Sequence, residues 1–278
     1  MSRDWLRISL LLSGIMLLSE GYARPSQESH TQKTTPTGSS TTSAGISKEE
    51  LKKEAEVKKA LDAARDAYRY GKYDEALTGF QQALELAKHL DGADEEQVQL
   101  FASDEALAKT GLCYLQLHQY VNAEKTFTTL LELRKQKMPF DSSAAGALMD
   151  LAQVDVMEND FSRAEAHLAE AVAYTEGCVN HFKQSDTYDA QDIVANGDRR
   201  LLARLHTYLG NIYASQRKFD QALASYEEAF QIGEKFKADP KSQLQVVSGA
   251  MKIAELANRE DKGEVWRTRY KALQEKNN

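Results

Sequence analysis

Four stretches of the chain repeat one side-chain pattern: "GKYDEALTGFQQALEL", "HQYVNAEKTFTTLLEL", "NDFSRAEAHLAEAVAY" and "RKFDQALASYEEAFQI". An aromatic residue stands three positions before an alanine, a large apolar residue four after it, and a small or apolar residue seven after it. The positions are Tyr73, Ala76, Phe80, Ala83; Tyr120, Ala123, Phe127, Leu130; Phe161, Ala164, Leu168, Ala171; and Phe219, Ala222, Tyr226, Ala229. Such offsets put all four residues on one face of an α-helix. A one-sided stripe cannot bury itself, so its recurrence calls for copies stacked side by side. The composition agrees, with only four Pro and abundant Ala, Leu, Glu, Gln and Lys, which favours helix throughout.

A further amphipathic stretch precedes each of these segments, clearest in "EALAKTGLCYL" and "LLARLHTYLGNIY", and it carries a small residue at Ala64, Gly111, Ala152 and Gly210. Small residues let the two helices of a hairpin approach closely, while the aromatic and Leu positions fill the gaps between neighbouring hairpins. The pattern is therefore structural, and none of its residues is needed for chemistry.

On these residues, from about Val57 to Ile232, the chain resembles the tetratricopeptide repeat (TPR) family. The resemblance implies an all-α fold, a right-handed superhelical solenoid of helix-turn-helix hairpins whose first helices line a concave groove. The anchor alanines are separated by 47, 41 and 58 residues, against about 34 for a plain repeat. That lengthening resembles the kinesin light chain type. Asp155 stands where the family usually has a large aromatic, so loose packing or a bend is expected in the third repeat. The polar stretch 177–200 reads as a loop or a helical extension.

Residues 1–23 have the layout of a secretory signal peptide: Arg3 and Arg7, the apolar run Ile8 to Leu18, then Gly21 and Ala23 at a cleavage site. The run is about half the roughly 20 residues that span a bilayer, so no stable membrane insertion is expected after cleavage. Residues 24–46, rich in Ser and Thr, read as a disordered tether. Ser47 and Glu50 form a capping box. The hairpin array is expected over 47–239, with a degenerate fifth hairpin or capping helices over 240–278. The chain is then exported, periplasmic or extracellular.

The net charge of −7 disfavours nucleic acid and anionic lipid as partners. Cys113 and Cys178 are the two cysteines and read as small buried hydrophobes, although an oxidising compartment would permit a disulfide. The histidines show no metal-ligand spacing, and neither a phosphate-binding glycine loop nor a nucleophile elbow is present. The cluster His181, Asp186, Asp189 and Asp192 reads as a solvated loop, with a metal or partner role the lesser alternative. No catalytic residue, cofactor or metal is expected.

What remains is a binding surface. Counting the groove positions of the resembled repeat gives Leu61, Arg65, Arg69; Ala108, Leu112, Gln116; Met149, Gln153, Met157; and Thr207, Asn211, Ser215. The family's carboxylate clamp is only partly matched, by Arg65, Lys109, Arg204 and Asn211. The candidate groove contacts are Arg65, Arg69, Lys109, Gln116, Gln153, Arg204, Thr207 and Asn211, for a protein or peptide partner. A self-assembling module of the cell envelope is the alternative.

Overall fold

The computed structural model describes residues 48–90, 95–139, 141–183 and 188–277, which form ten α-helices and, among the described residues, no strand. In order these are α1 (Lys48–Arg69), α2 (Tyr73–Ala87), α3 (Glu95–Gln116), α4 (Tyr120–Lys137), α5 (Ser143–Met157), α6 (Phe161–Lys183), α7 (Tyr188–Ser215), α8 (Phe219–Lys235), α9 (Pro240–Leu256) and α10 (Glu260–Asn277). The signal segment, the tether and Ser47 of the capping box lie outside the described residues. Within 177–200 the described backbone is helical, since α6 continues to Lys183 and α7 begins at Tyr188. Asp186 and the side chains of Asp189 and Asp192 lie outside the described residues.

Among the described residues one hairpin turn recurs five times, and its cap alone occurs a sixth time at Lys237, where the Ala238 N–H reaches the Gly233 carbonyl at 2.8 Å. Gly71, His118, Asn159, Arg217 and Asn258 all have positive φ, between 53° and 72°. The residue after each donates its N–H to the carbonyl five positions back: Lys72 to Ala67 at 2.9 Å, and Gln119 to Tyr114, Asp160 to Asp155, Lys218 to Tyr213 and Arg259 to Ala254 at 2.8 Å. This left-handed C-terminal cap satisfies carbonyls that a helix end leaves unpaired. The carbonyl of that same residue then accepts from the anchor of the next helix, Ala76, Ala123, Ala164, Ala222 and Gly263. Gly263 shows that α9 and α10 keep the hairpin backbone of the others. Its signature side chains are gone: Arg267 is exposed at the large apolar position, and Trp266 and Leu273 are buried instead. The outward positions Glu260, Asp261, Lys262, Glu264, Arg267 and Lys271 are exposed, which suits a terminal helix facing water.

Two compact units divide the chain after Thr126, within α4. In the first, Val57, Leu61 and Ala64 of α1, Ala76, Phe80, Ala83 and Ala87 of α2, and Ala102, Ala106 and Cys113 of α3 share one core. The helices of the first hairpin approach closely at Ala64 and Gly79, where a Cβ added to Gly79 would lie 2.8 Å from that of Ala64. No larger pair could hold that separation.

In the second unit, α5, α6 and α7 share a core built on Leu148, Leu168, Leu201, Leu205 and Ile212. A second core joins α8, α9 and α10 through Tyr226, Phe230, Val247, Ile253 and Trp266. Asp155 on α5 is completely buried, yet the expected loosening is not seen, since eleven of the fifteen residues of α5 are buried. Polar partners on α6 take the place of the missing aromatic. Asp155 Oδ2 lies 2.6 Å from His167 Nδ1 and Oδ1 lies 3.0 Å from Arg163 Nη2, both on α6. Two partners are what make a buried carboxylate tolerable.

Tyr226 sets the spacing of α7, α8 and α9. Its ring lies between two glycines: a Cβ on Gly210 would approach Cε2 to 3.1 Å, and one on Gly249 would approach Cε1 to 2.7 Å and the hydroxyl oxygen to 2.9 Å. Gly249→Ala and Ala222→Leu both overpack this crossing and are expected to cost about 1–3 kcal/mol each. The check is the urea midpoint of each purified variant; unchanged midpoints would mean that the helices are not packed in this register.

Candidate protein-binding face

On α7 the residues Leu201, Leu205, Tyr208, Leu209 and Ile212 are buried, and the line Arg204, Thr207, Asn211 and Ser215 is left partly exposed. All four are polar, and the structure fixes the polarity of three. The Thr207 hydroxyl donates to the Ala203 carbonyl at 2.8 Å, and the Ser215 hydroxyl donates to the Asn211 carbonyl at 2.9 Å. Such bonds to the preceding turn are common for Ser and Thr in helices. The Tyr226 hydroxyl donates to Asn211 Oδ1 at 2.5 Å. Arg204 hydrogen-bonds Tyr208, whose phenol is pushed up chiefly by burial.

The other expected contacts sit in different surroundings. Arg65 of α1 is clasped by Glu105 of α3, Nε to Oε1 at 2.6 Å and Nη2 to Oε2 at 2.5 Å, and also reaches Asp62 at 2.6 Å. The bidentate bond raises the guanidinium pKa further. This arginine joins two first helices; it is not a free cation awaiting a ligand. Arg69 pairs with Asp66 at 3.0 Å, and the Lys109 ammonium lies 5.1 Å from the centre of the Tyr68 ring. Gln116 is partly exposed at the end of α3. Gln153 is 8% exposed and Met149 7%, so the α5 line expected on an open wall is largely closed. Arg65, Arg69, Lys109 and Gln116 belong to the first unit, whereas Gln153, Arg204, Thr207 and Asn211 belong to the second.

Two structural details escape a linear reading. Glu105 carries no mark of its role until the hairpins stack it 40 residues from Arg65. Tyr226, a signature core position, also reaches through to a surface amide.

Among the described residues no group of three or more His, Cys, Asp and Glu side chains could hold a metal ion, and no helix is long and apolar enough to cross a membrane. Both cysteines are buried free thiols; burial pushes Cys113 up to about 12 and Cys178 up to about 11. Thiols so protonated are poor nucleophiles near neutral pH.

His206 lies on another side of α7, and burial lowers its pKa, with Glu228 and Glu176 opposing. A histidine lowered in the folded state binds its proton more readily when unfolded. Its contribution is therefore complete above the ordinary histidine range and lost as pH falls through about 6.5. Urea midpoints at pH 7.5 and 5.5 should fall further for the wild type than for His206→Gln; equal falls would place the acid sensitivity elsewhere.

The comparisons with known proteins fit this geometry. The tetratricopeptide repeat profile matches residues 203–236, the second half of α7 and all of α8. No curated protein sequence matches the chain. Among solved structures, the chain is similar to BtubC (BKLC) from P. vanneervenii, with a TM-score of 0.57 and 17% identity over 82% of this chain and 92% of that one. A kinesin light chain-like protein of P. anserina with nearly identical TPR-like repeats gives 0.55 and 13% identity, over 81% and 97%. A Rap protein complexed with competence and sporulation factor gives 0.54 and 13% identity, over 78% of this chain and 53% of that one. These identities speak to the fold alone: the all-α hairpins are those of tetratricopeptide repeat solenoids, including kinesin light chain-like ones.

Proposed function

We propose that this tetratricopeptide repeat chain is a non-catalytic scaffold that binds a protein or peptide along the exposed line of α7, with Arg204, Thr207, Asn211 and Ser215 at the contact. The observation that carries the reading is that line itself: a polar, partly exposed row on a helix whose other inward faces are buried. Its side chains are ordered by bonds within the protein, which lowers the entropy a partner must overcome. The solved Rap complex supports it by analogy of fold. Buried, protonated thiols support the non-catalytic part of the reading.

Export is part of the proposal and rests on the sequence of residues 1–23. N-terminal sequencing of the protein recovered from its native host should begin at Arg24; an intact leader on the recovered protein would remove this part.

Site-specific photocrosslinking tests the surface. A benzoylphenylalanine at Thr207 should give discrete adducts in native extract, and the same group at Lys271, on the exposed side of α10, should not. Adducts of equal yield at both positions, or at Lys271 alone, would contradict the assignment.

A further inference from the structure

We propose that the edge of the first unit formed by its two hairpin turns, α1 to α2 and α3 to α4, receives an arginine side chain of a partner protein, with Asp74 as the counter-ion. This is a second contact surface, on a different unit from the α7 line, and it does not depend on the reading of that line.

The repeat supplies its own template. At the last turn, Arg259 directly follows the left-handed residue Asn258, and its Nη1 donates to Asp220 Oδ1 at 2.7 Å. Asp220 stands three places after Arg217, the left-handed residue of the preceding turn. Counting the same places in the first unit sets Gln119, which follows His118, against Asp74, which stands three after Gly71. The acid is kept and the base is missing. Gln119 Oε1 instead accepts from Asn122 Nδ2 at 2.9 Å. The junction between the turns at Asn159 and Arg217 is bridged as well, by Lys218 on Glu165 at 3.0 Å and by Gln216 Nε2 on the Phe161 carbonyl at 3.2 Å.

The first junction is left as an open crevice of about 220 Å³, lined by Gly71, Lys72, Tyr73, Asp74, Glu75 and Leu117. Small-molecule sites run from roughly 300 to 1,000 Å³, so this one has room for a side chain and little more. The charges around it select the sign. Lys72 is committed to Glu75 at 2.9 Å, and Arg69 to Asp66 at 3.0 Å. Asp74 accepts from the Thr78 hydroxyl only at its backbone carbonyl, and its carboxylate makes no ion pair among the described residues.

Apolar exposure marks the same edge. Among the described residues the two most exposed large apolar side chains are Tyr70 (76%) and Val121 (74%), one at each of these turns. At the turns around Asn159 and Arg217 the places of Tyr70 are taken by Glu158 and Gln216, and those of Val121 by Ser162 and Asp220. An arginine suits both halves of the edge, because a guanidinium forks onto a carboxylate and stacks on a tyrosine face. Apolar residues beside it in the partner would cover Tyr70 and Val121.

The probe is the peptide acetyl-Ala-Leu-Arg-Leu-Ala-amide, titrated into the isotope-labelled full chain while the backbone amides of Gly71, Tyr73, Asp74 and Leu117 are followed by NMR. Its citrulline analogue keeps the shape of the side chain and removes the charge. The arginine peptide is expected to shift those amides with a millimolar Kd. The citrulline peptide, Asp74→Asn and Tyr70→Ser are each expected to weaken binding about fivefold. Gln119→Arg restores the internal pair and is expected to block the peptide to a similar extent without lowering the urea midpoint, which keeps the test decisive should Asp74→Asn disturb the first turn of α2. Amides that do not move, equal affinity for the two peptides, or binding unchanged by both Asp74→Asn and Gln119→Arg overturns the proposal and leaves the α7 reading standing. So does flotation with phosphatidylglycerol vesicles that is lost in the double variant Tyr70→Ser and Val121→Ser, which would assign the edge to a lipid surface.

Discussion

Close approach between helices that lack side-chain bulk at the crossing is the constraint on which the rest of the structure depends. At Gly79 against Ala64, and at Gly210 and Gly249 around Tyr226, one added methyl group would meet atoms at 2.7 to 3.1 Å. These positions fix how near the helices stand, and hence which side chains are covered and which are left at the surface. Tyr226 matters most, because its ring packs against glycines of two other helices while its hydroxyl leaves the core to hold a surface amide. Packing and the candidate binding face are thus coupled through one residue.

A second device repeats alongside the first. Five hairpin turns share a left-handed residue and a bond from the next N–H to the carbonyl five positions back. Only Gly71 among the five is glycine; His118, Asn159, Arg217 and Asn258 hold the same conformation. For a residue with a Cβ that conformation costs about 1–2 kcal/mol, which the cap and the packing of the hairpin offset. The turn is therefore imposed by the helices on either side of it more than by the turn residue.

This explains how much was legible in the sequence. The anchor alanines and their partners at offsets of four and seven stand out because burial permits few residue types there; Ala76, Phe80, Ala83, Ala222, Tyr226 and Ala229 are all buried. The hairpin of α9 and α10 is blurred for the complementary reason, since its backbone contacts persist while Gly263 and Arg267 replace the signature residues. The face was harder to read. Arg65 looks like a groove cation until Glu105 is seen to hold it, and Gln153 looks exposed until α5 proves buried on most sides. A spacing rule gives the face of a helix and not what lies against it. Asp155 illustrates the same limit: its departure from the apolar pattern is offset by His167 and Arg163, residues that nothing in the pattern marks as its partners.

The coupling between core and face rests on the bond between the Tyr226 hydroxyl and Asn211. A double-mutant cycle in stability, with Tyr226→Phe, Asn211→Ala and the pair, measures it most directly. A coupling of about 1 kcal/mol is expected for a hydrogen bond shielded from water on the tyrosine side. Strictly additive effects of the two substitutions would contradict the account, since Asn211 would then be oriented by something other than the core.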